Sequence, residues 1–168
     1  MTDTRSTDQQ IPDPPRGLKA IPWRLPIWLY RLHLGWLVGH RALLLTHKGR
    51  VSGKDRTAML EVIKYDKATN THYVASGFGK KSDWYQNISK TPDVVIQVGS
   101  HKFPAQAVSL SADEAREVFL EYNREHPIAI KNLAKIVGYE IGDTQEEMMA
   151  FLALIPVVAF RPTGVSVA

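Results

Sequence analysis

The sequence predicts a mainly β protein with helices (α+β), built as a small antiparallel barrel with an N-terminal helix and a C-terminal helical insertion. Short strand-like runs are separated by turn residues, and few long helices alternate with them. One late strand, residues 157–160, follows the helical segments. A parallel doubly wound sheet is therefore disfavoured, and the last strand is expected to return across the helices and close the sheet.

The N-terminal segment is expected to be a flexible tail followed by one amphipathic helix. Residues 1–20 are polar and contain prolines, without the apolar periodicity that could offset the entropy of ordering them. Residues 21–41 carry apolar side chains at helical spacing, with three tryptophans beside three arginines. Two surfaces suit this composition: a membrane interface, and a protein surface of the same chain or of a homodimer partner.

A cofactor-binding domain is expected over residues 42–162, opening with two strands joined by a basic loop. Residues 48–56 contain four cations and one carboxylate. Gly49 and Gly53 permit the positive φ angles that turn N–H groups toward one point, and arginine offers a planar fork that matches phosphate or carboxylate. The loop therefore predicts an anion site, with a solvated basic hairpin turn as the alternative.

The middle of the chain is predicted to contain hairpins and one long irregular connection. The connection, residues 76–93, holds a second glycine and lysine cluster and a short helix around Trp84 that stops before Pro92. Pro104 predicts an edge strand or a bulge, because proline cannot donate to a β-ladder. The predicted strands after the basic loop are residues 57–65, 72–76, 94–98, 102–110 and 157–160.

Capping signals define the helical insertion. Residues 111–114 and 144–147 each match a capping box, in which two side chains satisfy backbone N–H groups; the cap is worth about 1 kcal/mol. The first helix is expected to stop near His126, and the second at Gly138, a left-handed cap. Pro156 ends the third, and residues 163–168 form a short tail.

Composition excludes several classes of site. There is no cysteine, which removes disulfides and thiolate chemistry, and the histidines show no paired spacing with carboxylates that predicts a metal. No apolar run is long enough to span a bilayer, and no signal peptide is recognised. We therefore expect a cytoplasmic protein, membrane-associated only if the N-terminal helix meets lipid. Nucleic-acid binding through the basic loop is the weakest hypothesis, because no second basic face carries aromatics.

Four motifs in order resemble a known family: THKGRVSGKDR at 46–56, VASG at 74–77, DWYQN at 83–87 and PVV at 156–158. Over about residues 40–162 the chain resembles the deazaflavin (F420)-dependent nitroreductase family. The resemblance implies a split β-barrel of FMN-binding-like type. It also implies an F420H2-dependent reductase that transfers a hydride from reduced deazaflavin to a small acceptor such as a quinone or nitroaromatic. The alternatives are a non-catalytic F420 or flavin carrier, and an FMN-dependent split-barrel reductase.

The resemblance also implies where the cofactor binds. F420 joins a phosphate and several glutamates to a flat ring, so its site needs a basic loop beside an apolar or stacking slot. The implied cofactor-binding residues are Lys48, Arg50, Val51, Ser52, Arg56, Thr57, Ala58, Met59, Leu60, Ala75, Ser76, Gly77, Trp84, Tyr85 and Asn87. For Trp84 and Tyr85, core packing is the alternative role.

Two positions depart from the family pattern. Val51 and Gly77 stand where family members often carry a basic residue, so the missing charge is expected from the lysines at 48, 54, 80 or 81. On the acceptor side, the resemblance implies Tyr122, His126 and Tyr139, with His126 where a tyrosine is common. A helix C-terminal cation is the alternative role for His126. The residues alone identify no catalytic group, because the cofactor supplies the hydride chemistry.

Overall fold

The computed structural model describes residue 13 and residues 41–136, 138–142 and 144–164, which form a closed barrel of six antiparallel strands beside four helices. The strands are β1 (Ala42–Lys48), β2 (Asp55–Asp66), β3 (Thr71–Ala75), β4 (Asp93–Val98), β5 (His101–Ser109) and β6 (Val157–Pro162). Their order around the barrel is β1-β2-β3-β6-β5-β4, and β4 pairs with β1 to close it. The predicted α+β split barrel, closed by the final strand, is confirmed.

Alternate residues of the strands fill the barrel interior. Leu43 and Leu45 of β1 and Ile96 of β4 have no exposed surface. The β1–β2 register places Leu43 opposite Leu60 and Leu45 opposite Ala58, so both pairs face the same interior. Removing a leucine side chain from water contributes about 1.5–3 kcal/mol. Because a one-residue slip would expose these side chains, the core fixes the register of the hairpin.

A β-bulge in β2 explains why the apolar residues of this strand alternate unevenly. Val62 pairs with Val74 and Lys64 pairs with Tyr73, which leaves Ile63 as the extra residue. Val62 packs against the barrel interior, whereas Ile63 packs against the helices outside. The bulge therefore lets one strand contribute to two cores.

The helices are α1 (Asp83–Lys90), α2 (Ala112–Glu125), α3 (Ala129–Ile136) and α4 (Gln145–Ala153), and a 3₁₀ turn (Gly79–Lys81) precedes α1. Both predicted capping boxes are present, since Ser111 and Thr144 accept from the backbone of the glutamate three residues on and each glutamate bonds back. Gly138 follows α3 with φ 74°, which confirms the expected left-handed end.

A second core lies between the helices and the outer face of the sheet. Phe119 of α2, Ile130 of α3 and Phe151 of α4 are almost completely buried there. They pack on Tyr73 and Val157, which face outward from β3 and β6. The insertion is thus a layer packed on one side of the barrel, and α1 packs separately against the barrel interior.

The expectation of an edge or a bulge at Pro104 is wrong. Strand β5 pairs with β4 on one side and β6 on the other, and both ladders run without a register shift. Pro104 lies opposite Val95, and its carbonyl accepts from Thr163 on the β6 side at 3.2 Å. The β6 ladder starts only at Ala105 opposite Pro162, so the missing N–H of proline falls just beyond the paired segment.

The predicted N-terminal tail and amphipathic helix lie outside the described residues, apart from Asp13 and Arg41. Most of the C-terminal tail also lies outside them. No helix in the described part of the chain is long and apolar enough to cross a membrane. The predicted domain boundaries stay predictions.

Candidate functional site

The loop between β1 and β2, residues 49–54, is closed by its own backbone. The N–H of Gly49 donates to the carbonyl of Lys54, and the N–H of Gly53 donates to the carbonyl of Gly49, both at 2.8 Å. Gly53 has φ 65°, and a Cβ at Gly49 would lie 2.9 Å from Oγ of Ser52. Gly53 is therefore needed for this turn, whereas Gly49 does not have the expected positive φ and a side chain there would require Oγ of Ser52 to move; Val51 at the tip of the turn is 94% exposed.

Arg50 fastens the loop to helix α1. Its main-chain N–H and its Nη1 both donate to Oδ1 of Asn87, at 2.9 and 3.1 Å. Its Nη2 lies 3.0 Å from Oδ1 of Asp83, and Lys90 Nζ donates to the carbonyl of Arg50 at 2.8 Å. The Arg50 guanidinium is thus engaged with protein groups, so in this structure Arg50 shapes the loop.

The remaining cations of the loop differ in their partners. Lys48 is paired with Asp55 at 2.7 Å, directly across the β1–β2 ladder. Lys54 and Arg56 are exposed and make no ion pair with any described residue. Two uncompensated cations beside a glycine-closed loop fit a phosphate or carboxylate group, because charge-assisted hydrogen bonds to such anions contribute about 1.5–3 kcal/mol.

A second loop reaches the same barrel end through Ser76. Its N–H donates to the carbonyl of Pro156, and its buried hydroxyl lies 2.7 Å from both the carbonyl of Gly79 and Oγ of Ser82. The hydroxyl of Ser76 therefore stabilises the loop from inside. Side-chain contacts with a ligand are left to neighbouring residues of the loop.

The lysines of this second loop add charge at its surface. Lys80 is exposed, and Lys81 pairs with Asp13 at 3.1 Å. The side chain of Gln86 in α1 lies 3.3 Å from the main-chain oxygens of both lysines. Helix α1 thus links both glycine-bearing loops, and we call residues 48–56, 76–82 and α1 the cationic barrel end.

Strand β2 leads away from the cationic barrel end with two different faces. Ala58 and Leu60 point into the barrel core. The intervening residues Thr57, Met59 and Glu61 therefore lie on the outer face, where Thr57 and Glu61 are exposed and Met59 is half-buried. Beyond Arg56, which is exposed at the end of the barrel, only the outer face of this strand offers side chains to a ligand. Ala58 and Leu60 could therefore contact a ligand only through their backbone.

The other predicted cofactor residues surround the second loop. Ala75 packs against the helical core, and Gly77 is half-buried beside it. Trp84 and Tyr85 are half-buried on α1, pack against the barrel core and meet edge to face with ring centroids 6.0 Å apart. Their packing role is evident in the structure. Tyr85 also lines an open groove of about 360 Å³ together with Lys80 and Arg116.

Tyr122, predicted on the acceptor side, lies over the far part of β2. Its hydroxyl donates to Oε1 of Glu61 at 3.1 Å, and its ring lies 5.0 Å from that of His126. Burial raises the pKa of Tyr122 to about 12, the Glu61 carboxylate adds to this, and Arg41 opposes it. Tyr122 is therefore protonated at neutral pH, and His126 is exposed at the end of α2.

Tyr139 is held in the helical core. Its ring lies 4.8 Å from Phe151, and it is half-buried.

The structure groups the other predicted residues in two places: the cationic barrel end holds most cofactor residues, and Tyr122 with His126 meets β2 further along. Among the described residues, no cluster of three or more His, Asp or Glu is close enough to hold a metal ion.

Three residues that the sequence reasoning did not assign contribute to these groups. His47 is 4% exposed and its Nδ1 lies 3.2 Å from Nδ2 of Asn87, while Asp83 holds Arg50 and Glu61 holds Tyr122. Interior spacing on β1 after Leu43 and Leu45 could have indicated that His47 points inward. The partners of Asp83 and Glu61 are distant in sequence and gave no local signal.

A sequence model of the F420H(2)-dependent quinone reductase family matches residues 25–141. One relative is the Mycobacterium tuberculosis protein Rv3178 (strain ATCC 25618 / H37Rv), which is named among the F420H(2)-dependent quinone reductases. It is 40% identical over 86 residues, which cover 50% of this chain and 71% of the relative.

Solved structures share the fold at low sequence identity. An F420-H2 dependent reductase, FDR-A, superposes with a TM-score of 0.51 at 21% identity, covering 73% of this chain and 96% of the other. A pyridoxamine 5'-phosphate oxidase-related, FMN-binding protein from Nostoc punctiforme gives a TM-score of 0.53 at 14% identity, covering 84% and 81%. At these identities the likeness establishes a split barrel.

Proposed function

The chain belongs to the F420H(2)-dependent quinone reductase family, and we propose that it transfers a hydride from reduced F420 to a quinone, with the cofactor's anionic part at the cationic barrel end. Membership confirms the expected F420-dependent oxidoreductase and its cofactor. It also means that the chain acts on a small-molecule acceptor. The acceptor's identity and the residues that contact each molecule are the proposal.

One observation supports the proposed arrangement of the cofactor most directly. Lys54 and Arg56, which make no ion pair with a described residue, stand just before and at the start of β2, and Tyr122 meets the same strand at Glu61. Arg56 and Glu61 are five positions apart, which is roughly 17 Å along a strand. That separation suits a long molecule with an anionic tail at one end and a reactive ring at the other.

The chemistry divides between cofactor and protein. When bound, reduced F420 supplies the hydride, and reduction of a quinone to a hydroquinone also requires a proton. Tyr122 holds a proton on its hydroxyl at neutral pH, because burial and Glu61 raise its pKa to about 12. We assign to Tyr122 the hydrogen bond to the acceptor oxygen, for which its single O–H turns from Glu61 to the acceptor, and to the outer face of β2 the orientation of the ring.

The proposal is tested by titrating the purified protein with F420 and with FMN, followed by anaerobic mixing of the loaded protein with a quinone or a nitroaromatic. We expect F420 to bind more tightly than FMN, and the reduced-cofactor signal to fall faster with the quinone than in a protein-free blank. Tight binding without oxidation would identify a carrier instead. Preference for FMN would overturn the cofactor assignment, and faster nitroaromatic reduction would overturn the acceptor.

The assembly of the chain is a separate proposal. A homodimer or a membrane contact through residues 21–41 rests on the amphipathic pattern of that segment. Sedimentation of the full chain, with and without anionic vesicles, distinguishes the two. A mass of two chains without vesicle binding supports the dimer, and co-sedimentation with vesicles supports the membrane contact.

A further inference from the structure

A buried histidine completes the polar network at the cationic barrel end. His47 is the last interior-facing residue of β1, and only 4% of its surface is exposed. Its Nδ1 lies 3.2 Å from Nδ2 of Asn87, the residue that holds Arg50. None of the predicted cofactor contacts includes this ring, although it lies directly beneath the loop that carries them.

The orientation of the Asn87 amide is fixed by two donors. The main-chain N–H and the Nη1 of Arg50 can only donate, and both lie within hydrogen-bond distance of Oδ1, at 2.9 and 3.1 Å. The amide NH₂ must therefore face His47. Because an NH₂ group only donates, Nδ1 of His47 accepts, and the neutral ring carries its proton on Nε2.

The surroundings of His47 favour the neutral ring. Burial is the main cause that lowers the pKa of His47, and the Arg56 guanidinium, across the ladder on β2, lowers it further. A main-chain hydrogen bond at Lys48 and the Asp83 carboxylate on α1 act in the opposite direction but do not cancel the burial. In the folded protein, protonation of this ring therefore requires a lower pH than protonation of a solvent-exposed histidine.

We propose that His47 is a positioning residue, which keeps the loop at residues 49–54 in its anion-binding form only while its imidazole is neutral. This rests on the proposed function, in which the loop holds the anionic part of F420. When Nδ1 takes up a proton from solvent it becomes a donor that faces the NH₂ of Asn87. The amide must then turn away, and Arg50 loses the acceptor that its N–H and guanidinium share.

Two isosteric variants separate the hydrogen bond from the packing of the ring. In His47→Asn, the side-chain oxygen occupies the place of Nδ1, accepts from Asn87 and does not titrate. His47→Leu has a similar shape but no acceptor. Both side chains lack the ring and share a four-heavy-atom skeleton that branches at Cγ, so their difference reports mainly the hydrogen bond. Thermal unfolding of each variant at neutral pH establishes that it is folded.

Affinity for F420 is measured for the three proteins from about pH 8 down to the lowest pH at which each stays folded, because the pKa of His47 lies below the ordinary histidine value. The wild type should bind about five- to tenfold more weakly at the acid end, the size of one or two lost hydrogen bonds. His47→Asn should change by less than about twofold, and His47→Leu should bind weakly throughout. Parallel curves for wild type and His47→Asn would overturn the inference and leave the proposed function intact.

A measurement without cofactor decides the inference independently. Hydrogen exchange of the Arg50 N–H, corrected for intrinsic exchange rates, should lose protection in the wild type as the pH falls and keep it in His47→Asn. Because the neutral ring is favoured by folding, the wild type should also lose stability as the pH falls below about 6.5 toward the lowered pKa of His47. If F420 fails to bind at any pH while exchange behaves as expected, the proposed function is wrong and the positioning role stands.

Discussion

Arg50 at the cationic barrel end donates four hydrogen bonds to α1, whereas Tyr122 on the helical side donates one, to the exposed Glu61. The first region is tied to a buried asparagine and a buried histidine. The second rests on one surface carboxylate and on the ring of His126. An interlocked network keeps the loop in one shape, and a single contact leaves Tyr122 able to adjust to the acceptor.

The largest effect on stability and on cofactor affinity is expected at the cationic barrel end, from a change of Asn87. Asn87→Ala removes the acceptor shared by the Arg50 N–H and guanidinium and the donor to His47. Buried groups left without partners cost about 1–3 kcal/mol each, so we expect a loss of about 2–4 kcal/mol of unfolding free energy and at least tenfold weaker F420 binding. Chemical denaturation and titration measure both. Ser89→Ala, on the exposed side of the same helix, is the matched control. Equal stability and equal F420 affinity of the two variants would show that the Asn87 network supports neither the fold nor cofactor binding.

Arg56→Ala should weaken the binding of F420 without changing the free energy of unfolding. Its guanidinium is exposed and makes no ion pair with the described residues, so unfolding should change little. Loss of a charge-assisted hydrogen bond to the cofactor should weaken F420 binding about tenfold. Arg50→Ala is the informative partner, because it should lose stability as well. F420 affinity within about twofold of wild type would show that Arg56 does not touch the cofactor.

Tyr122→Phe tests the proposed acceptor side, where the hydroxyl of Tyr122 makes one hydrogen bond, to Glu61. Removal of the hydroxyl should lower kcat several-fold, up to about tenfold for one neutral hydrogen bond, and leave F420 affinity unchanged. Stopped-flow oxidation of the reduced cofactor by a quinone measures the effect. Tyr139→Phe is the control, since that ring is packed on Phe151 within the helical core. Unchanged quinone turnover in Tyr122→Phe would exclude the hydroxyl from the reaction.

The smallest effect is expected from the helical layer away from both regions. Ser111→Ala removes the hydroxyl of the capping box at the start of α2 and should cost about 1 kcal/mol of unfolding free energy. F420 affinity should stay as in wild type, because the cap contacts only Glu114. A change in affinity comparable to that of Arg56→Ala would mean that the layer and the barrel end are coupled.

Features with local causes could be predicted from the sequence. The two capping boxes, the left-handed end at Gly138 and the glycine-closed loop depend on residues within a few positions of one another. Closure by residues 157–162 was also predictable, because a strand-like run that follows the helical insertion can pair with the open edges of the sheet.

Features that depend on distant partners were missed or misread. The contacts of the Arg50 guanidinium with Asp83 and Asn87, more than thirty positions later, could not be read from the sequence, and its contact with the cofactor stays a prediction. Pro104 was expected at an edge because the sequence does not show that β5 pairs with β6 as well as with β4. The ladder with β6 begins at Ala105, so the missing N–H of Pro104 lies outside it. His47 was not assigned because its partner is forty positions away.

The central claim is that the cationic barrel end holds the anionic part of the cofactor. It is tested most directly by comparing F420 with the same deazaflavin lacking the phosphate and glutamates, in wild type and Arg56→Ala. The wild type should bind F420 at least about tenfold more tightly than the truncated ring, and Arg56→Ala should lose most of that preference. Equal affinity of the wild type for both molecules, or an undiminished preference in Arg56→Ala, would contradict the claim.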